Sequence, residues 1–260
     1  MSESHRLLRR VRVGVANLWA RADSPRTVDA QMVVDEPDVA GWLKRLDAHP
    51  DQPMSGDGRL GLHGRLVTQL VAGEPVEVVR SDPAHPGWVQ VCAPWQPTSL
   101  DPRGYPGWVR ASHLVEPAGP SPRTPPPVTG LAGGGAAGDG HPLVALARRH
   151  LGLPYLWAGM TPAGLDCSGL VHWCLRELGV VVPRDADDQE EACSVVQLEQ
   201  VRSGDLYFFH QPGAARAHHV GIVTEGGSMI HAPETGQGLM EGPLDEGRQA
   251  TLHSAGRLPR

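Results

Sequence analysis

Residues 152–171 read GLPYLWAGMTPAGLDCSGLV. The first part is a loop rich in Gly and Pro, and its end runs into SGLVHWCLRELG at 168–179. There Leu170, Cys174 and Leu178 recur at helical spacing and Gly179 supplies a stop signal. Cys167 therefore stands where a loop becomes a helix. Backbone N–H groups and the positive end of the helix dipole converge at such a point. The position is expected to lower a thiol pKa toward thiolate and to offer donors to an oxyanion. It equally suits an inert buried cysteine, and the local sequence does not choose between the two.

Working outward, HPLVALARRHLG at 141–152 is a second helix, with Leu143, Leu146, Ala147 and His150 on one face. Strand-like runs follow: DLYFF, HHVGIVTE and GSMIHAP. Helices first and strands afterwards predict an α+β domain over 141–260. Cys174 lies two turns beyond Cys167, ~10 Å away at ~1.5 Å per residue. A disulfide spans at most ~7 Å between Cα atoms, so the two cannot pair along one helix. Cys174 reads as core packing.

A thiol nucleophile needs a base, and HVGIVT and SMIHA flank a turn at Glu225–Gly227. A hairpin pairing Val223 with Gly227 and Gly221 with Met229 sets His219 opposite His231. His218 then points to the other face, because side chains alternate along a strand. The same two histidines also suit a purely structural hydrogen bond. Competing chemistry is a zinc site of Cys167, His219 and His231, with His210 or His218 as a fourth ligand. No H-x-x-x-H or C-x-x-C spacing supports it, so no metal and no cofactor are expected.

Upstream the grammar changes. Residues 117–140 hold Pro or Gly at 13 of 24 positions and read as a linker. Residues 1–116 look all-β, with short runs such as VRVGVANLW, PVEVV and WVQVCAP between turn signals. Within them, residues 27–58 form an insertion, where PDVAGWLKRLDAH has helical spacing.

The whole chain has 260 residues, a net charge of -6 and four cysteines. The charge argues against a nucleic-acid partner. The cysteines make no disulfide framework. No apolar run reaches the ~18 residues of a membrane span, and arginines interrupt the N-terminal stretch where a signal peptide would lie. A cytoplasmic location is expected, and the sequence does not fix an oligomeric state.

Together, GLPYLWAGMTPAGLDCSGLV, SGDLYFF and HHVGIVTEGGSMIHAP resemble the NlpC/P60 family of cell-wall cysteine peptidases, which has a papain-like fold. The resemblance implies Cys167 as nucleophile, His219 as base, His231 as orienting residue and Tyr155 near the oxyanion. Ala158 departs from a glycine common in the family. LVTQLVAGEPVEVV and GYPGWVRASHL resemble a bacterial SH3-like domain. This pairing is similar to family members that act as γ-D-glutamyl-L-diamino acid endopeptidases on murein peptides with a free N-terminal L-Ala. That likeness implies that Glu74, Tyr105 and Asp185 bind the peptide's ammonium. Asp166 and Ser168, which flank the nucleophile, are expected to bind the peptide and the D-Glu carboxylate. The expected role is recycling of murein peptides. The rivals are an endopeptidase acting on intact wall with the SH3-like domain as anchor, and a non-catalytic wall-binding protein.

Overall fold

In the computed structural model, residues 7–50, 52–117, 119 and 140–258 are described. Apart from 117, 119 and 140, the expected linker lies outside them. The chain forms two compact units. One comprises Met1–Pro125 with Leu156–Ala163, the other Pro126–Tyr155 with Gly164–Arg260.

The first unit is built on β1 (Leu7–Val11), β2 (Val15–Trp19), β3 (Leu66–Val71), β4 (Pro75–Ser81), β5 (Trp88–Ala93), β6 (Tyr105–Arg110) and β7 (Leu114–Val115). These form one sheet in the order β3-β2-β6-β5-β4-β1-β7, with antiparallel pairings throughout. The insertion carries the expected helix, α1 (Val39–Asp47), capped by the Asp38 carboxylate on the Gly41 N–H. It buries Trp42 and Leu46 beside Met32, Trp19, Leu62 and Trp108. Beneath α1, the fully buried Asp29 takes a two-pronged bond from Arg26 and a 2.8 Å bond from Trp42 Nε1. The insertion is thus part of the core, and truncating Trp42 would cost about 3–5 kcal/mol.

Leu156–Ala163 also packs in this unit, although its sequence belongs to the nucleophile loop. Leu156 and Ala158 join the Trp19–Trp42 cluster. Trp157 Nε1 donates to Leu66 O at 3.1 Å, and Met160 N to Gln69 Oε1 at 3.1 Å. The short β8 (Met160–Thr161) packs on β3. Ala158 has φ 60°, the one positive φ among the described non-glycine residues. A family glycine would adopt this conformation freely, whereas alanine stores about 1–2 kcal/mol there.

The second unit contains α2 (Pro142–Arg148), β9 (Gly164–Leu165), α3 (Cys167–Glu177), α4 (Ala186–Ala192), β10 (Ser194–Val196), β11 (Leu206–His210), β12 (Ala217–Val223), β13 (Met229–His231), β14 (Met240–Gly242), α5 (Glu246–Thr251) and β15 (Leu252–Arg257). Six strands form an antiparallel sheet ordered β10-β15-β11-β12-β13-β14, and α3 and α4 pack on β12. The architecture is α+β. α3 ends as its sequence dictates: Gly179 has φ 78°, its N–H bonds Arg176 O, and Val180 N–H bonds Leu175 O. No helix among the described residues is long and apolar enough to cross a membrane.

Candidate active site

Cys167 is the first residue of α3, and the Asp166 carboxylate caps that helix through the Gly169 N–H at 2.6 Å. A buried carboxylate needs a cation, and Arg184, only 1% exposed, supplies one. Its two terminal nitrogens reach Asp166 at 3.1 and 2.7 Å, and one also donates to Ser168 Oγ at 2.9 Å. Gln189 Nε2 ties the Ser168 carbonyl to that of Pro183. Asp166 and Ser168 are therefore engaged in a network that holds the start of α3. Arg184 escaped the sequence reading because nothing in VPRDADD sets it apart from a surface arginine.

The backbone amides of Val220 and Ser168 bond the Cys167 sulfur. They and Arg184 pull its pKa down, but burial and the Asp166 charge win, pushing the thiol up to about 12. The expectation of a lowered thiol pKa is thus corrected. Desolvation is set by what packs around the sulfur, and here it exceeds the helix-terminal effect.

The base side lies on two strands. β12 and β13 pair Val223 with Met229 and Ile222 with Ile230. This is two residues away from the expected register, because Thr224 and Ser228 close the turn and Gly226 and Gly227 take left-handed φ of 69° and 78°. A shift of two preserves facing, so His219 and His231 still share a face, now diagonally. His219 Nε2 lies 2.9 Å from His231 Nδ1, with the rings edge-on at 84°. Burial comes first in depressing both, followed by the charge of Arg248: His219 sits well below 6.5 and His231 at about 4. Both imidazoles are neutral at pH 7.

His218 departs from its expected place. Phe209 pairs with His219 but His210 with Ala217, so His218 is the extra residue of a bulge. It is exposed, yet it lines the same cleft as His219. That cleft, ≈ 460 Å³, is also lined by Tyr155, Cys167, Glu234, Asp245 and Arg248. The Tyr155 phenol is buried beside Cys167, which raises its pKa and keeps it a hydrogen-bond donor. Arg248, whose guanidinium lies 5.5 Å from the Phe209 ring centre, is a second residue the sequence did not single out.

The remaining candidates are placed as follows. Asp185 is the N-cap residue of α4, with no capping bond from its side chain. Glu74, in the β3–β4 turn, is fully buried and accepts from Val71 N and Gln96 Nε2. Tyr105 opens β6, and its N–H donates to Gln96 O. Gln96 thereby links the two within the first unit. All four cysteines are free, and Cys174 is fully buried in α3.

The constellation can carry thiol acyl transfer, with a nucleophile at a helix N-terminus, a neutral imidazole base and a second imidazole on that base. Comparison with known proteins agrees. The NlpC/P60 family pattern matches residues 152–256. The γ-D-glutamyl-L-lysine dipeptidyl-peptidase of Bacillus subtilis (strain 168) is 31% identical over 86% of this chain and 90% of its own length. The Bacillus cereus protein of the same name is 28% identical over 90% of this chain and 85% of its own. The crystal structure of an NlpC/P60 family protein from Bacillus cereus superposes with a TM-score of 0.81, at 25% identity, covering 97% of this chain and all of that one. With most of its length shared with such relatives, and Cys167 and His219 lining one cleft, the chain belongs to the NlpC/P60 family of cysteine peptidases.

Proposed function

We propose that the chain hydrolyses the γ-D-glutamyl–diamino acid bond of murein-derived peptides that carry a free N-terminal L-Ala. The observation that carries this reading is the near full-length likeness to two relatives named for the γ-D-glutamyl-L-lysine bond. In the reaction, His219 takes the Cys167 proton as the sulfur attacks the γ-carbonyl. A tetrahedral oxyanion forms, and the Tyr155 hydroxyl donates to it; that Tyr155 lines the same cleft as Cys167 supports this role. Collapse breaks the C–N bond, and His219 returns the proton to the leaving amine. Water then attacks the thioester, His219 accepts its proton, and the thiol is regenerated. His231 orients His219 through the 2.9 Å contact.

From the family pattern, Asp185 at the start of α4 in the second unit is assigned to the L-Ala ammonium; Glu74 and Tyr105 lie in the first unit, where Glu74 is bonded to Val71 N and Gln96 Nε2. In intact wall this amine is acylated by the muramyl group. A free-amine requirement therefore implies released peptides as substrates and a role in their recycling, which fits a cytoplasmic enzyme. The test is incubation with L-Ala-γ-D-Glu-L-Lys and with its meso-diaminopimelate counterpart, read by mass spectrometry. Release of L-Ala-γ-D-Glu and the free diamino acid is expected. Intact tripeptide alongside cleaved murein sacculi would replace this reading with the wall endopeptidase.

A further inference from the structure

On α4 and the sheet, outside the cleft, Glu190, His210 and His253 each offer one ligand atom, all within 4.8 Å of one another. They come from α4, β11 and β15, so only the tertiary fold assembles them. We infer that these residues bind a divalent transition-metal ion of the zinc class, at a site separate from the Cys167–His219 cleft.

The hydrogen count at His210 supports this. Its Nε2 lies 2.8 Å from Glu190 Oε2, and its Nδ1 lies 3.3 Å from Ala214 O. Both ring nitrogens face oxygen acceptors, while a neutral imidazole has one N–H. With Nδ1–H on the carbonyl, the Nε2 lone pair faces a carboxylate, and either a second proton or a metal ion resolves the conflict. His253 favours the metal. Its ring stacks on His210 at 3.8 Å and 20°, with a ring nitrogen within 4.8 Å of the Glu190 carboxylate, and co-ligation turns the two rings out of this stack so that their lone pairs converge. His253 is also the unpaired residue of a bulge, since Phe208 pairs with Ser254 and Phe209 with Leu252. Bulges re-aim side chains in this way.

The surroundings are those of a ligand set. The Ser254 hydroxyl donates to Glu190 Oε1, orienting the carboxylate, as Ala214 O orients His210. Zinc holds such ligands at ~2.0–2.2 Å, so neighbouring donor atoms come to roughly 3.4 Å of one another. The observed spacing needs only side-chain adjustment. Two imidazoles and one carboxylate select zinc, nickel or copper over calcium or magnesium, and leave a fourth position for water. Bound metal would cross-link α4 to two strands of the sheet.

The test uses untagged full-length protein carrying Cys167→Ala, so that the thiol does not compete, stripped with EDTA and titrated with zinc chloride in a calorimeter. One zinc per chain is expected, with a rise in thermal midpoint of several degrees. Glu190→Gln, His210→Ala and His253→Ala should each weaken binding by roughly 10-fold or more. His218→Ala should not. His253 is exposed, so its variant keeps the fold, which circular dichroism checks. Unchanged zinc affinity in His253→Ala, or no uptake at about 100 µM zinc, would overturn the site. Because hydrolysis is not the readout, the result is independent of the proposed peptidase substrate.

Discussion

His219 Nε2 lies 2.9 Å from His231 Nδ1, and both rings are neutral at pH 7 because burial and Arg248 depress them. Exactly one proton can occupy that contact. If His219 donates it, the Nδ1 lone pair of His219 remains to accept the thiol proton. The alternative tautomer uses Nε2 as the acceptor toward His231 and leaves Nδ1 protonated, which disables the base. His231 thus supports the working tautomer when its own Nδ1 is the acceptor. With the Cys167 thiol pushed up by burial and His219 held low, both groups are neutral at pH 7.

Cys167→Ala should reduce hydrolysis by at least ~10⁴-fold and leave the circular dichroism spectrum unchanged. Cys174→Ala should retain activity and lose about 1–2 kcal/mol of stability in urea, because it truncates a fully buried side chain. Near wild-type turnover in Cys167→Ala would remove it as the nucleophile.

Among the histidines, His219→Ala should cost ~10²–10⁴-fold in kcat, the usual worth of a general base. His218→Ala should cost far less, since His218 is the bulged, exposed residue at the cleft. His231→Gln should fall between the two, because an amide can still hold the Nε2 proton. Steady-state kinetics of the three variants rank them, and a loss in His218→Ala equal to that in His219→Ala would contradict the assignment.

The acid limb of kcat/KM should lie below pH 6.5, because His219 is depressed. Arg248→Ala removes a positive charge that lowers His219 and His231, so the limb should move to higher pH. Stability follows the same sign. His231 titrates at about 4 when folded and near 6.5 when unfolded, so the unfolded chain binds more protons between these values. Its contribution, up to about 3 kcal/mol, is present above pH 6.5 and lost as pH falls toward 4. Urea midpoints at pH 7 and pH 5 should differ accordingly, and His231→Gln should shrink the difference.

Exhaustive EDTA treatment should leave peptide hydrolysis intact, since the cleft chemistry uses only thiol and imidazole. It would strip the Glu190–His210–His253 site without touching the reaction. Activity lost to EDTA and restored by zinc would instead favour a metal centre at Cys167, His219 and His231.

N-acetylation of the tripeptide should lower kcat/KM by ~100-fold or more, because a blocked amine leaves a recognising carboxylate unpaired. Asp185→Asn should weaken turnover of the free tripeptide. Equal rates on free and acetylated peptides would point to the wall endopeptidase.

Much of the site was written locally. Asp166 before Cys167 and Gly179 after Leu178 set both ends of α3, because capping uses only neighbouring atoms. The two-residue strand period put His219 and His231 on one face, and it did so even though the register differed by two, since only parity matters. Other features depended on residues distant in sequence. The bulge that brings His218 to the cleft, the burial of Arg184 against Asp166 and the packing of Leu156–Ala163 in the first unit all arise from tertiary pairing. The thiol pKa is the sharpest case. A helix N-terminus is visible in sequence and lowers it, but desolvation depends on every atom that displaces water, and those atoms arrive only when the chain folds.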